Sequence, residues 1–205
     1  MRKKGFTLSE VLITLTIIGV IAAITVPVIQ ANYRRQAASD KILKFYSTIN
    51  QVVIKAKAAG NDWEDWAESA SSSSDSTSAT VEAFAKNYLL PYVIYHKYEI
   101  SGTNIYVYLN DGTYFRSFKG TCIDLIFDTN GDKKPNKEGR DQFRFLYCPN
   151  SDTGWTAQGK VIPYKPKSMT TREQALAHCK SNGAYCTALL DFDGWQFKDD
   201  YPLSI

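Results

Sequence analysis

The residues whose types and spacing could do chemistry stand at the start of the chain. Arg2, Lys3 and Lys4 are followed by Gly5 and Phe6, then by a single carboxylate at Glu10, then by 23 uncharged residues from Val11 to Tyr33. About 20 apolar residues suffice for a helix to cross a bilayer core. An ionised carboxylate at the mouth of such a span is costly unless a positive group answers it. A secretory signal carries its small-residue cleavage site behind the apolar run. Here the small residue, Gly5, lies in front of it. Cleavage between Gly5 and Phe6 would remove the basic leader, leave the anchor attached and free an α-amine at Phe6.

Two further groups of residues carry candidate chemistry. Between two strand patterns, Asp128, Asn130 and Asp132 alternate as the first ligands of a calcium loop do, and Asp141 offers a further carboxylate. Oxygen donors of this kind suit Ca²⁺. The loop departs from an EF-hand, with Lys133 where glycine belongs and Gly139 where the bidentate glutamate belongs. The competing reading is an Asx-rich turn whose side chains satisfy their own backbone. Cys122, Cys148, Cys179 and Cys186 all lie beyond the apolar segment. In an oxidising compartment they would pair, and four cysteines allow three pairings. The favoured arrangement has Cys122–Cys148 clamping two flanking strands and Cys179–Cys186 closing a short loop. A zinc site at His178 and Cys179 is the rival, and its spacing matches no common zinc pattern.

Catalysis has little support. His96 and His178 are the only histidines. There is no nucleophile elbow, phosphate-binding glycine loop or His-x-x-x-His pair. The tyrosines at 88, 92, 95 and 98 read as packing and rim residues ahead of a sugar contact. No catalytic residue is expected. The formal net charge of +3 comes from 24 basic and 21 acidic residues, and without Arg2, Lys3 and Lys4 the basic count is also 21. A balanced chain gives no electrostatic argument for nucleic acid.

The elements that must position these groups follow from periodicity. Ile42, Phe45, Tyr46, Ile49, Val52, Val53 and Ala56 recur at spacings of three and four, the stripe of an amphipathic helix. Only Pro27 interrupts the pattern between this stripe and the anchor. The spacing predicts one helix from Phe6 to Ala59, about 80 Å long, stopping at Gly60-Asn61. Pro27 removes one backbone hydrogen bond, which membrane helices tolerate with a kink. Residues 61–80 read as a Ser-rich connector, with Trp63 and Trp66 able to dock on the domain. Val81 to Leu90 reads as a short helix stopped by Pro91. Asn104 to Leu109 and Thr113 to Phe118 flank a hairpin turn at Asn110-Asp111-Gly112. Cys122 to Phe127 and Gln142 to Tyr147 form a second strand pair. Thr170 to Lys180 reads as a helix, and the aromatic, acidic tail from Cys186 as irregular. A helix followed by antiparallel strands is an α+β fold. The expected units are a leader at 1–5, an assembly helix at 6–33, its amphipathic continuation at 34–60, the connector at 61–80, and a β-rich domain at 81–205.

The stretch Lys4-Gly5-Phe6-Thr7-Leu8-Ser9-Glu10, placed before a membrane-length run, resembles the cleavage motif of type IV pilins and type II secretion pseudopilins. The resemblance is close over about the first 35 residues and general beyond them. It implies cleavage by prepilin peptidase between Gly5 and Phe6 and N-methylation of Phe6. It implies assembly with homologous subunits through Glu10, on an inner-membrane platform, with helicity lost between Gly19 and Pro27 in the fibre. The fold it implies is a long spine helix, half of it transmembrane, on a small antiparallel sheet. Some pseudopilins hold calcium in a loop of the sheet region, which supports the ligand set above. The implied location is the bacterial inner membrane, N-terminus cytoplasmic and domain periplasmic or extracellular. The fibre could be a secretion pseudopilus or a type IV pilus. A membrane-tethered binding domain that never polymerises is the alternative.

Overall fold

The computed structural model describes residues 5, 7–65, 78–119, 122–148, 154–155 and 159–205. Helix α1, Leu8–Ala58, runs unbroken for 51 residues, through Pro27. At 1.5 Å per residue it is about 77 Å long. Its buried residues begin only at Ala38 and continue through Ser39, Ile42, Phe45, Ile49, Val52, Val53 and Ala56. These are the residues of the periodic stripe, so the sequence pattern and the packed face coincide, with Tyr46 half-buried at the edge. The helix stops where Gly60 adopts a φ of +82°, a conformation that costs glycine no side-chain clash.

A helical turn at 63–65 follows. Trp63 is fully buried, its indole N–H donates to the carbonyl of Tyr88 at 2.9 Å, and its ring meets Phe84 and Tyr147 edge-on. Trp66 and most of the Ser-rich connector lie outside the described residues. Helix α2, Ser78–Phe84, continues as a π-helical turn at Ala85–Leu89 and a 3-10 turn at Leu90–Tyr92. Pro91 therefore does not stop the helix as expected. It occupies the first turn of the 3-10 segment, where a missing N–H is no loss, and the chain becomes extended only at Val93.

Six antiparallel strands pair in sequence order. They are β1 (Lys97–Ser101), β2 (Asn104–Tyr108), β3 (Tyr114–Lys119), β4 (Ile123–Asp128), β5 (Gln142–Tyr147) and β6 (Ile162–Pro163). The β2–β3 turn uses the expected residues. Asp111 Oδ1 accepts from the backbone N–H of Thr113 at 3.2 Å and from its hydroxyl at 2.6 Å, and Gly112 takes a φ of +79°. Strand β1 continues the stretch around His96, which reads as strand or loop, and alternates, with Tyr98 and Ile100 packed on the core; β6 was not expected, because two residues show no period.

Alternation puts Ile105, Val107, Phe115, Leu125, Phe127 and Phe145 on the face that meets α1. Phe45 is the hub of that contact. Its ring stacks on Phe127 at 4.4 Å and lies 5.3 Å from Phe115 and 5.4 Å from Phe145. Helix α3 (Arg172–Ser181) has a complete capping box between Thr171 and Gln174. A 3-10 turn at Gly183–Tyr185 leads into α4 (Cys186–Phe192), whose first five residues are all buried. The sequence reading left α4 irregular, because seven residues are too few to show helical periodicity. The arrangement is α+β, a spine helix on a small antiparallel sheet, as the pilin-like resemblance implies.

Because Phe45 closes three ring contacts at once, Phe45→Ala is expected to cost about 3–5 kcal/mol. Denaturant unfolding followed by near-UV circular dichroism would read this as a lowered midpoint with an unchanged slope.

Candidate functional site

The site begins where α1 begins. Thr7 is the N-cap, in extended conformation, and forms a reciprocal capping box with Glu10. The backbone N–H and the hydroxyl of Thr7 both donate to Glu10 Oε2 at 2.8 Å. The N–H of Glu10 donates back to Thr7 Oγ1 at 3.3 Å. Thr7 and Glu10 carry the Thr-x-x-Glu signature of a capping box, a local signal that the sequence holds beside the charge of Glu10. The carboxylate is thus hydrogen-bonded within its own chain, and no basic side chain among the described residues pairs with it. Gly5 precedes this cap in exposed, irregular chain, and Phe6 lies outside the described residues.

Behind the cap the helix is bare. No residue from Leu8 to Tyr33 is buried, and an 18-residue window reaches a mean hydropathy of 2.6. Leu8 is 79% exposed and Ile24 68%. An apolar surface of this extent needs lipid or other helices to cover it. Three threonines inside it, Thr14, Thr16 and Thr25, each donate their hydroxyl to a carbonyl one turn back, at 2.9, 2.8 and 2.9 Å. That removes the cost of a free hydroxyl in lipid.

The acidic loop has a different geometry from the one its spacing suggests. Asp128 and Asp141 are buried, whereas Asp132 is exposed. Asp141 accepts the backbone N–H groups of Asn136 at 2.8 Å and Lys137 at 2.5 Å, and Asn130 Nδ2 at 3.2 Å. Asp128 accepts the N–H of Asn130 at 3.0 Å and Gln142 Nε2 at 3.1 Å. Among the described residues, no three His, Cys, Asp or Glu side chains group as a metal site. A cation needs converging oxygens, whereas these carboxylates are turned onto N–H donors of their own loop. These carboxylates organise an Asx-rich loop, and Asn130 Oδ1 is left buried beside them without a hydrogen-bond partner.

Cys122 is bonded to Cys148, joining the start of β4 to the end of β5, and Cys179 to Cys186, joining α3 to α4. Cys179 therefore has no thiolate to share with His178 in a zinc site. His178 is exposed and stacks near Tyr185 at 5.0 Å, and His96 is exposed. The tail is held to α3 by Arg172, which pairs with Asp193 at 2.6 Å and Asp200 at 2.7 Å.

One charged cluster was not foreseen. Asp124 lies on the outer sheet face, in register between Phe118 and Leu146. Burial pushes its carboxyl up to about 6, against the pull of Arg144, with Glu138 adding a push of its own. Arg144 lies 3.9 Å from Asp124 and gives its closer bond, 2.5 Å, to Glu138.

Residues 1–26 match the model of the prokaryotic N-terminal methylation motif. With a bare apolar helix leading into a domain built on its far half, the chain carries the N-terminal motif of type IV pilin and pseudopilin precursors. Residues 28–205 match the model described as a family of unknown function, DUF6613. The chain belongs to that family. No curated protein and no solved structure matches the chain.

Three outcomes follow. Asp124 has a folded pKa above its unfolded value near 3.9, so the native state holds the proton more tightly, and stability falls as pH rises from about 4 to about 6. Asp124→Asn is expected to raise stability by about 1–2 kcal/mol at pH 7.5 and to leave it unchanged at pH 4; thermal melts across that range would show the two curves converging. Asp141→Ala strands two backbone N–H groups and is expected to cost about 2–4 kcal/mol. Millimolar Ca²⁺ is expected to leave the melting temperature of the parent where EDTA leaves it; a rise of several degrees would restore the calcium reading.

Proposed function

We propose that this protein is a structural filament subunit. Prepilin peptidase cuts between Gly5 and Phe6, the new amine is N-methylated, and mature chains polymerise through the bare half of α1. The observation that carries the reading is the methylation motif at 1–26 standing directly before a helix with nothing buried until Ala38. Such a helix needs a cover, and identical helices provide one once the subunit leaves the bilayer.

Glu10 sets the register. In an isolated chain Thr7 donors hold its carboxylate, but hydrogen bonds do not cancel a charge in lipid. The Phe6 amine of an adjacent subunit does, and only at one stagger. Pro27 gives the helix a point where it can locally unwind on packing. The domain lies outside the inner membrane, by the positive cluster at Arg2, Lys3 and Lys4, and assembly draws on homologous subunits and an inner-membrane platform. The filament is a secretion pseudopilus or a type IV pilus, and imaging with a tag in the Ser-rich connector distinguishes a periplasmic from a surface fibre.

Mass spectrometry of the mature chain is expected to find methyl-Phe6 as its first residue. An intact Met1 would favour a tethered binding domain instead. Glu10→Val is expected to be inserted and cleaved normally, yet to lower filament yield at least tenfold, as measured in sheared or pelleted fractions. Assembly equal to that of the parent would remove Glu10 from the mechanism.

A further inference from the structure

A cavity of about 510 Å³ opens between the folded half of α1 and the β2–β3 hairpin. Its floor is Phe45, Ile49, Val52, Phe115 and Phe127, none more than 4% exposed. One wall is the segment after the 3-10 turn, where Ile94 stands at the lip with 81% of its surface exposed. The size is that of a small-ligand site, and an apolar floor with a few polar groups is the usual lining.

The rim is cationic. Lys41, Lys44 and Lys55 line it from α1, spread along about 21 Å of helix. Lys41 donates to the carbonyl of Thr129 at 2.8 Å, which leaves its charge uncancelled. Lys44 pairs with Asp111 at 2.8 Å. Lys55 has no acidic partner among the described residues. Three ammonium groups thus face one carboxylate, in a chain whose acidic and basic totals balance once the leader is removed.

The floor also excludes one type of occupant. Strands β3 and β4 are paired on both sides and the α1 backbone is bonded within the helix. The floor leaves no main-chain donor or acceptor for an added peptide strand, which is how extended peptides gain affinity. What the groove presents is an apolar trough rimmed along its length by positive charge. We propose that it binds a long-chain anionic monoacyl amphiphile, of the fatty-acid class, with the tail over Phe45 and Phe127 and the head at Lys55. This function is separate from filament assembly and does not depend on it.

The test uses the full chain in phosphatidylcholine nanodiscs with a diazirine-bearing myristate, photolysed and mapped by peptide mass spectrometry. Saturable labelling of the 41–55 and 92–115 peptides is expected, displaced by unlabelled myristate and absent with a diazirine alkyltrimethylammonium of equal length. Thr48→Trp, at an exposed lining position, is expected to abolish that labelling. Ile94→Glu, which places an acid at the lip, is expected to do the same, so the result does not hang on one variant. Lys55→Gln is expected to raise the half-saturating concentration about fivefold, as the loss of one partly solvated ion pair should. Groove labelling by a diazirine lysophosphatidylglycerol, a monoacyl anion carried in the disc, would assign the bilayer as the source of the same ligand chemistry. Labelling confined to residues 8–33, or labelling unchanged in both Thr48→Trp and Ile94→Glu, would overturn the proposal. So would carbodiimide cross-linking of Lys55 to a carboxylate of a second copy in place of ligand, since that makes the groove a subunit interface.

Discussion

A single unbroken helix has to satisfy two solvents. In lipid every backbone N–H and C=O must be bonded internally, and an α-helix achieves that within one segment. Toward its other end the same helix must present one apolar stripe to a sheet and a polar face to water. In α1 the change comes between Tyr33 and Ala38: exposed and uncharged all round before it, one-sided after it, with Arg34, Arg35 and Asp40 marking the wet side. The remaining structure is organised around this change. The sheet can bury its inner face only because the second half of α1 covers it, and Phe45 is where the two layers lock.

The site reflects the same division. At the apolar end, the chemistry is one carboxylate and its cap, to which the proposed maturation adds an amine. Thr7 holds Glu10 at the first turn, so the carboxylate is oriented within its own chain. At the domain end, carboxylates do structural work. Asp141 gathers the N–H groups of a tight loop, Asp193 anchors the tail through Arg172, and Asp124 lies against Arg144 with its carboxyl pushed up by burial. The domain is stapled at β4–β5 and at α3–α4 by disulfides, which suit a compartment that keeps cystines oxidised.

The long-period features were legible before any coordinates. The anchor and the stripe from Ile42 to Ala56 run over several turns, the Asn110-Asp111-Gly112 turn has a strict backbone demand, and the central strands, five or six residues long, alternate and flank that turn. The short ones were not. Strand β6, helix α4 and the π and 3-10 continuation of α2 are too brief to show a period, and tertiary packing defines them. Spacing along the chain places Asp128, Asn130 and Asp132 like ligands, but direction is set by which N–H groups each carboxylate meets, and those come from residues 136, 137 and 142.

The sequence by itself determined the class of protein, because the leader, Gly5, Phe6, Glu10 and the apolar run are contiguous and act through local chemistry. It determined the α+β plan for the same reason, since periodicity is a property of neighbours along the chain. Only the tertiary structure decided where Asp124 and Arg144 meet, which cysteines pair, and that a lysine-rimmed groove opens beside α1. Each of those depends on side chains far apart in sequence converging in space, and the energy of that convergence is absent from any one segment.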